Sequence, residues 1–220
     1  MTARLSFEYE LKLLRDNLTE MGQLIEAAIE KTLKAFETQD EVLANEIIQG
    51  DRNVNDIEKT IESRCLSLIL KQQPVARDLR IVTTALKVVT DMERIGDHAA
   101  DIAELILREK RTPIYNLAKH IPEMGRVSKE MVHDAVSAFT SQDTENAREI
   151  IKRDDIVDDL FDKVKEEVAA ILRTSGEQVD QCVDILMIAK YLERIGDHAV
   201  NICEWTEFHE TGSVNNIRIL

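Results

Sequence analysis

The chain has 220 residues, 44% hydrophobic but only 4% aromatic, with seven glycines and three prolines. That is ample apolar mass for a core, and a composition of long helices rather than of sheets and tight turns. A formal net charge of -14 repels phosphate backbones and excludes nucleic acid as a direct partner, and without an apolar run of spanning length or a signal-peptide core a cytoplasmic protein with no membrane insertion is expected. Cys65, Cys182 and Cys203 fall in apolar helical stretches outside any CxxC pair and read as core thiols in a reducing compartment.

Hydrophobic spacing and cap signals predict six helices, over residues 6–37, 41–72, 75–109, 114–140, 144–173 and 176–207. Asp40 and Asp143, each after a Gln, are expected N-caps; Pro74 suits the first turn of helix three, and Ser175 with Gln178 forms a capping box for helix six. Pro122 predicts a kink or restart in helix four. The apolar seam of helix two is Ile47, Val54, Ile57, Ile61, Cys65 and Leu68; that of helix five is Val157, Phe161, Val164, Val168 and Ile171. Met92 and Leu192 are expected in the core. The tail beyond residue 207 loses periodicity and has no assigned structure.

The six helices are two copies of three. ERIGDHAADIAE (93–104) returns as ERIGDHAVNICE (193–204), with nine of twelve letters identical. Residues 18–40 align with 121–143, sharing EMG, AF and QD, and EIIQGDRNVNDI (46–57) aligns with EIIKRDDIVDDL (149–160) at six of twelve. The offset falls from 103 to 100 before the third helix of each unit, where QQPVARD faces a shorter loop around Thr174, Ser175 and Gly176. The expected fold is therefore all-α, two tandem pseudo-symmetric three-helix bundles over 1–110 and 111–220, the second carrying the tail.

Acidic residues recur at helical spacing in both units. Glu93, Asp97, Asp101 and Glu104 share one face of helix three, and Glu193, Asp197, Asn201 and Glu204 one face of helix six. Helix two presents Asp51, Asn55, Glu58 and Glu62; helix five presents Asp154, Asp158 and Asp162. Each stripe borders the apolar seam, so the carboxylates lie near a bundle groove. Like charges at i,i+4 cost about 0.2–0.5 kcal/mol per pair when exposed, and more when dry. Arg94 and Arg194, one residue off the stripe, turn about 100 degrees away and are poor local partners. A bridging cation relieves the repulsion, and carboxylate-only ligands suit Mg²⁺, Mn²⁺ or iron rather than structural zinc. Gly96 and Gly196, each costing about 1 kcal/mol inside a helix, point to close approach of another backbone or an ion cluster. A lone Glu-x-x-x-Asp is usually solvated surface; recurrence in facing pairs is what favours metal. His98 and His198 face a neighbouring direction and suit packing as well as ligation, and Trp205 reads as an apolar anchor for the tail.

With the duplicated unit and two ERIGDHA motifs, the chain resembles the PhoU family of bacterial phosphate-homeostasis regulators over nearly its whole length. The resemblance implies metal clusters held by Asp51, Glu93, Asp97 and Asp101 in one half and by Asp154, Asp158, Glu193 and Asp197 in the other. Asn55 and Asn201 depart from the acidic pattern of their counterparts Asp158 and Asp101, so the halves need not load equally, and Glu58 and Asp162 stand as further candidates. It also implies a non-enzymatic regulator, expected as a homodimer, that couples the ATPase subunit of a phosphate ABC transporter to a sensor histidine kinase and holds the phosphate-starvation response off. Two rivals remain at this point. A ferritin-like, carboxylate-bridged di-metal oxidase needs Glu-x-x-His pairs, whereas here the histidine follows the glutamate by five. An acidic helical scaffold would only bind a partner's basic surface.

Overall fold

The computed structural model describes residues 3–75, 77–108, 118–174, 178–214 and 217–218. It is all-α apart from a final hairpin of two-residue strands. The helices are α1 (Ala3–Thr38), α2 (Glu41–Gln72), α3 (Arg77–Arg108), α4 (Ile121–Ser141), α5 (Thr144–Ile151), α6 (Asp154–Thr174) and α7 (Val179–Thr211). Strands β1 (Ser213–Val214) and β2 (Ile217–Arg218) pair antiparallel, Ser213 opposite Arg218. No helix among the described residues is long and apolar enough to cross a membrane.

The shared Gln-Asp pair explains the first turn of each unit. Gln39 and Gln142 take the left-handed conformation at φ 54° and 62°, ending α1 and α4, and the following aspartate caps the next helix. Asp40 accepts from the Val42 and Leu43 N–H groups and Asp143 from that of Asn146, satisfying donors that would otherwise lack partners. Pro122 occupies the first turn of α4, where its missing N–H costs nothing.

Four expectations are corrected. The fifth helix is two, because Lys152 and Arg153 form a tight turn in which Arg153 N–H bonds to Ile150 O at 2.9 Å. Arg153 then reaches back to Asp134 Oδ2 at 2.5 Å; its counterpart Gly50 offers no such tether, and α2 runs straight through. Pro74 lies in the connection before α3 rather than in its first turn. The core seam after the break is Val157, Leu160, Val164 and Val168, while Phe161 sits at its edge beneath the Lys165 and Lys190 ammonium groups, 5.2 and 5.5 Å from its ring centre. α7 runs on to Thr211, four residues past the expected end, and Gly212 at φ 72° closes it. Trp205 packs edge-on against Phe208. Ser175, the start of α4's expected span at 114–117, and the boundary at 110/111 lie outside the described residues.

Each half packs three helical layers, α1–α2–α3 and α4–(α5, α6)–α7, and the halves join through α3 on α7 and α1 on α4 over one continuous core. Met92, Leu192 and all three cysteines are buried in it. The α1–α4 crossing keeps the repeat symmetry. Gly22 of α1 receives Val136 of α4, where an added Cβ would stand 2.8 Å from Cγ1, and Gly125 of α4 receives Leu33 of α1 more tightly still. Across the rim, Glu26 pairs with His133 at 2.9 Å and Glu30 with Lys129 at 3.0 Å. At the α3–α7 crossing the histidine rings lie 5.6 Å apart; His198 Nδ1 and Asn201 Nδ2 both meet Asp91 Oδ1, at 2.8 and 3.0 Å, and His98 stacks on Tyr191.

Candidate metal centre

The two acidic rows of each half face one another across a helix pair, and the motif glycine is what lets them close. Gly96 of α3 lies against α2: a Cβ there would meet Val54 Cγ1 at 3.0 Å and Asp51 Oδ1 at 3.5 Å. Gly196 of α7 repeats this against α6, with Asp154 Oδ1 at 3.2 Å and Val157 Cγ1 at 3.5 Å. The close approach inferred from these glycines is therefore to an aspartate and a valine of the facing helix. It leaves Asp51 Oδ1 and Asp154 Oδ1, counterparts in the repeat, buried without a hydrogen-bond partner among the described residues. An unsatisfied buried carboxylate oxygen costs on the order of 1–3 kcal/mol, so a pair of them in equivalent places asks for a common explanation.

Electrostatics mark the same residues. In the first half, burial raises the pKa of Asp51, with Asp97 and Asp101 adding to the rise and the Asn55 amide, donating to Oδ2 at 2.8 Å, opposing it. Glu93 is raised by burial, then by Asp97, Glu58 and Asp51 against Arg94; Glu58 is raised by burial, then by Glu62 and Asp97. In the second half Asp154 is pushed up to about 6, first by burial and then by Asp197, Asp158 and Glu193. Asp158 and Asp197 are also raised, by burial first and by Glu193 next. Carboxylates that each raise their neighbours' pKa lie in mutual reach, and they are short of positive charge.

The chain supplies some of that charge itself. Arg94 is a local partner after all: its Nη1 donates to Asp97 Oδ2 at 2.9 Å and its Nε lies 3.4 Å from Glu93 Oε2. The step that turns Arg94 away from Glu93 also places it three residues before Asp97, a neighbour on the helix surface. Lys190 holds Glu193 in the same i,i+3 relation, a spacing visible in the sequence and passed over there. Asp155, another residue missed, adds to the rise at both Asp154 and Asp158.

Not every candidate joins a cluster. Asp101 bears on Asp51 but also faces its own His98, whose Nδ1 is 3.4 Å from Asp101 Oδ2. Asn201 turns to Asp91 across the α3–α7 crossing. Asp162 pairs with Lys165 at 2.5 Å and keeps 69% of its side chain exposed. His98 and His198 belong to the α3–α7 crossing rather than to the acidic grooves, so neither imidazole completes a Glu-x-x-His set there. Among the described residues no three His, Cys, Asp or Glu side chains converge on one metal-sized point. The clusters are open rows of oxygen, and their donor chemistry, with two orphaned oxygens, fits hard cations and not zinc.

Comparison with known proteins agrees with the repeat. The PhoU domain family matches residues 18–106 and 121–206. The chain is 41% identical over 207 residues to a phosphate-specific transport system accessory protein PhoU homolog of Clostridium acetobutylicum, covering 94% of each chain. It is 32% identical to the phosphate-specific transport system accessory protein PhoU of Escherichia coli, covering 94% of this chain and 86% of that one. The crystal structure of the phosphate transport system regulatory protein PhoU from Streptococcus pneumoniae superposes with a TM-score of 0.88 at 29% identity, over 96% of this chain and all of that one.

Proposed function

Since the chain belongs to the PhoU family, we propose that it is a cytoplasmic regulatory accessory protein of a phosphate-specific transport system, working as a metal-loaded adaptor and not as a catalyst. Two duplicated units, 1–110 and 111–220, each present one cation cluster. Asp51, Glu93 and Asp97, with Asp101 at the margin, would hold the ion in the first; Asp154, Asp158, Glu193 and Asp197 would hold it in the second. The ion, Mg²⁺, Mn²⁺ or iron, supplies positive charge to carboxylates that the fold crowds together and, at Asp51 Oδ1 and Asp154 Oδ1, shields from water. The observation that carries this reading is the matched pair of orphaned oxygens, Asp51 Oδ1 and Asp154 Oδ1. The adaptor's partners are the transporter's cytoplasmic ATPase subunit and a sensor histidine kinase, and it acts as a homodimer. A net charge of -14 steers it toward basic faces on those partners.

Replacing Asp97 and Asp197 with Asn tests both levels. Metal content by elemental analysis should fall by most of its wild-type value with helicity intact, and a phosphate-starvation reporter should switch on in phosphate-rich medium. Unchanged metal content overturns the cluster assignment. A folded, metal-free variant that still represses fully places the regulatory surface elsewhere.

A further inference from the structure

One corner of this acidic protein is basic. His209, in the last turn of α7, is 5% exposed, and its Nε2 has no hydrogen-bond partner among the described residues. With Arg15 of α1 it lines a pocket of about 20 Å³, room for one water, walled by Leu14, Ile81 and Phe139. Arg80 Nε is likewise buried and unpartnered. Burial holds the His209 pKa below its usual value, and the charges of Arg77, Arg80 and Arg15 press it down further against the pull of Glu210. Acidic residues outnumber basic ones by 42 to 28 in this chain, yet none of these three arginines has a carboxylate partner among the described residues. Asp78, the acid between Arg77 and Arg80, is taken by Arg4 at 2.6 Å.

The cluster is not inherited from the duplication. The repeat counterparts of Arg15, Arg77 and Arg80 are Ala118, Glu177 and Asp180. Nor does it belong to the metal rows, since Arg80 and Glu93 stand roughly 20 Å apart along α3 at about 1.5 Å per residue.

We propose that the mouth of this pocket is a binding site for a phosphate-type oxyanion, held by the guanidinium groups of Arg15, Arg77 and Arg80, with one of its oxygens entering the one-water space to accept from His209 Nε2–H. Forked, permanently charged guanidiniums match the several oxygens of a tetrahedral oxyanion, which has acceptors enough for three arginines and the imidazole at once. The buried imidazole gains the acceptor it lacks. Nothing in this proposal depends on metal at the carboxylate clusters.

The test uses the full chain freed of metal by chelator, so that phosphate cannot bind through a cation. Inorganic phosphate and a nucleoside diphosphate are titrated in parallel by calorimetry and by ¹⁵N-edited NMR of the histidine rings. One saturable site should appear, with the His209 ring resonances moving, and the ligand that binds tighter identifies whether free phosphate or a phosphoryl group is the natural source. Arg77→Gln combined with Arg80→Gln, or Arg15→Gln alone if the double variant melts early, should weaken binding by about tenfold or more. Arg52→Gln, on an exposed face of α2, should leave it unchanged. No saturable binding of either ligand, binding that survives the arginine variants, or a stationary His209 overturns the assignment.

Discussion

Asp154→Asn removes a charge that the fold penalises while keeping the side chain's shape. Asp154 has a pKa of about 6 in the folded chain against 3.8 when unhindered. For an acid raised in the fold, the folded state is disfavoured wherever the group must ionise. The penalty is small below the unfolded value, grows as pH rises from about 4 to 6, and is complete above that. At 1.36 kcal/mol per unit, a rise of about two units corresponds to roughly 3 kcal/mol at most. Partial exposure reduces that, and the positive end of α6, where Asp154 is the first residue, returns about 0.3–1 kcal/mol to the charged form. A net gain of about 1–2 kcal/mol is left for the metal-free variant at pH 8, or roughly 2–8 °C in melting temperature for a chain of this size. The assay is thermal unfolding followed by circular dichroism, with chelator, in steps from pH 4 to pH 8. The variant should melt above the wild type at pH 8 and the two should converge towards pH 4. A variant less stable at pH 8, or a difference that does not change with pH, would refute the reasoning, because the carboxylate would then be neither desolvated nor crowded.

Chelator should lower the wild-type melting temperature and added Mn²⁺ or Mg²⁺ should restore it, whereas identical melting curves would argue against bound cations. Two glycines predict opposite outcomes in urea titrations. Gly125→Ala collides with Leu33 and should destabilise by about 1–3 kcal/mol, while Gly50→Ala, with nothing near its new Cβ, should stabilise α2 by roughly 0.5–1 kcal/mol. Burial pushes the Cys65 and Cys203 thiols up to about 12 and raises Cys182 as well. A thiol reagent at pH 8 should therefore find no reactive cysteine in the native chain and three after denaturation.

The helices and their order were legible because their signals are local. Apolar spacing, the two Asp caps and the repeat need only neighbours in the chain, and α2 begins and ends where its pattern does. The break after Ile151 was not legible, since it coincides with a contact between Arg153 and Asp134, nineteen residues apart. The same division runs through the site. Helical spacing gathers the acidic rows, and glycine in mid-helix gives away their closeness, but not that Asp51 and Asp154 would be the residues left with a bare oxygen. Arg94 was misjudged by weighing its direction against Glu93 and overlooking Asp97 one turn on. Asp91 carries no signal of its own, because its partners His198 and Asn201 arrive from the other half.

The rim of the α1–α4 crossing has a history in its charges. Glu26 and Lys129 hold the same place in the two copies, as do Glu30 and His133, and each glutamate meets the other place in the opposite half. Two first halves brought together this way would set glutamates against glutamates, and two second halves would set lysine against histidine. Each surface pair contributes only about 0.2–1 kcal/mol, but exchanging partners removes the attraction at both places at once and, between two first halves, turns it into repulsion. Divergence after duplication has thus made the halves complementary and no longer interchangeable. A domain-swapped oligomer of this protein has to join a first half to a second, so self-recognition between identical halves is disfavoured wherever nascent chains crowd together.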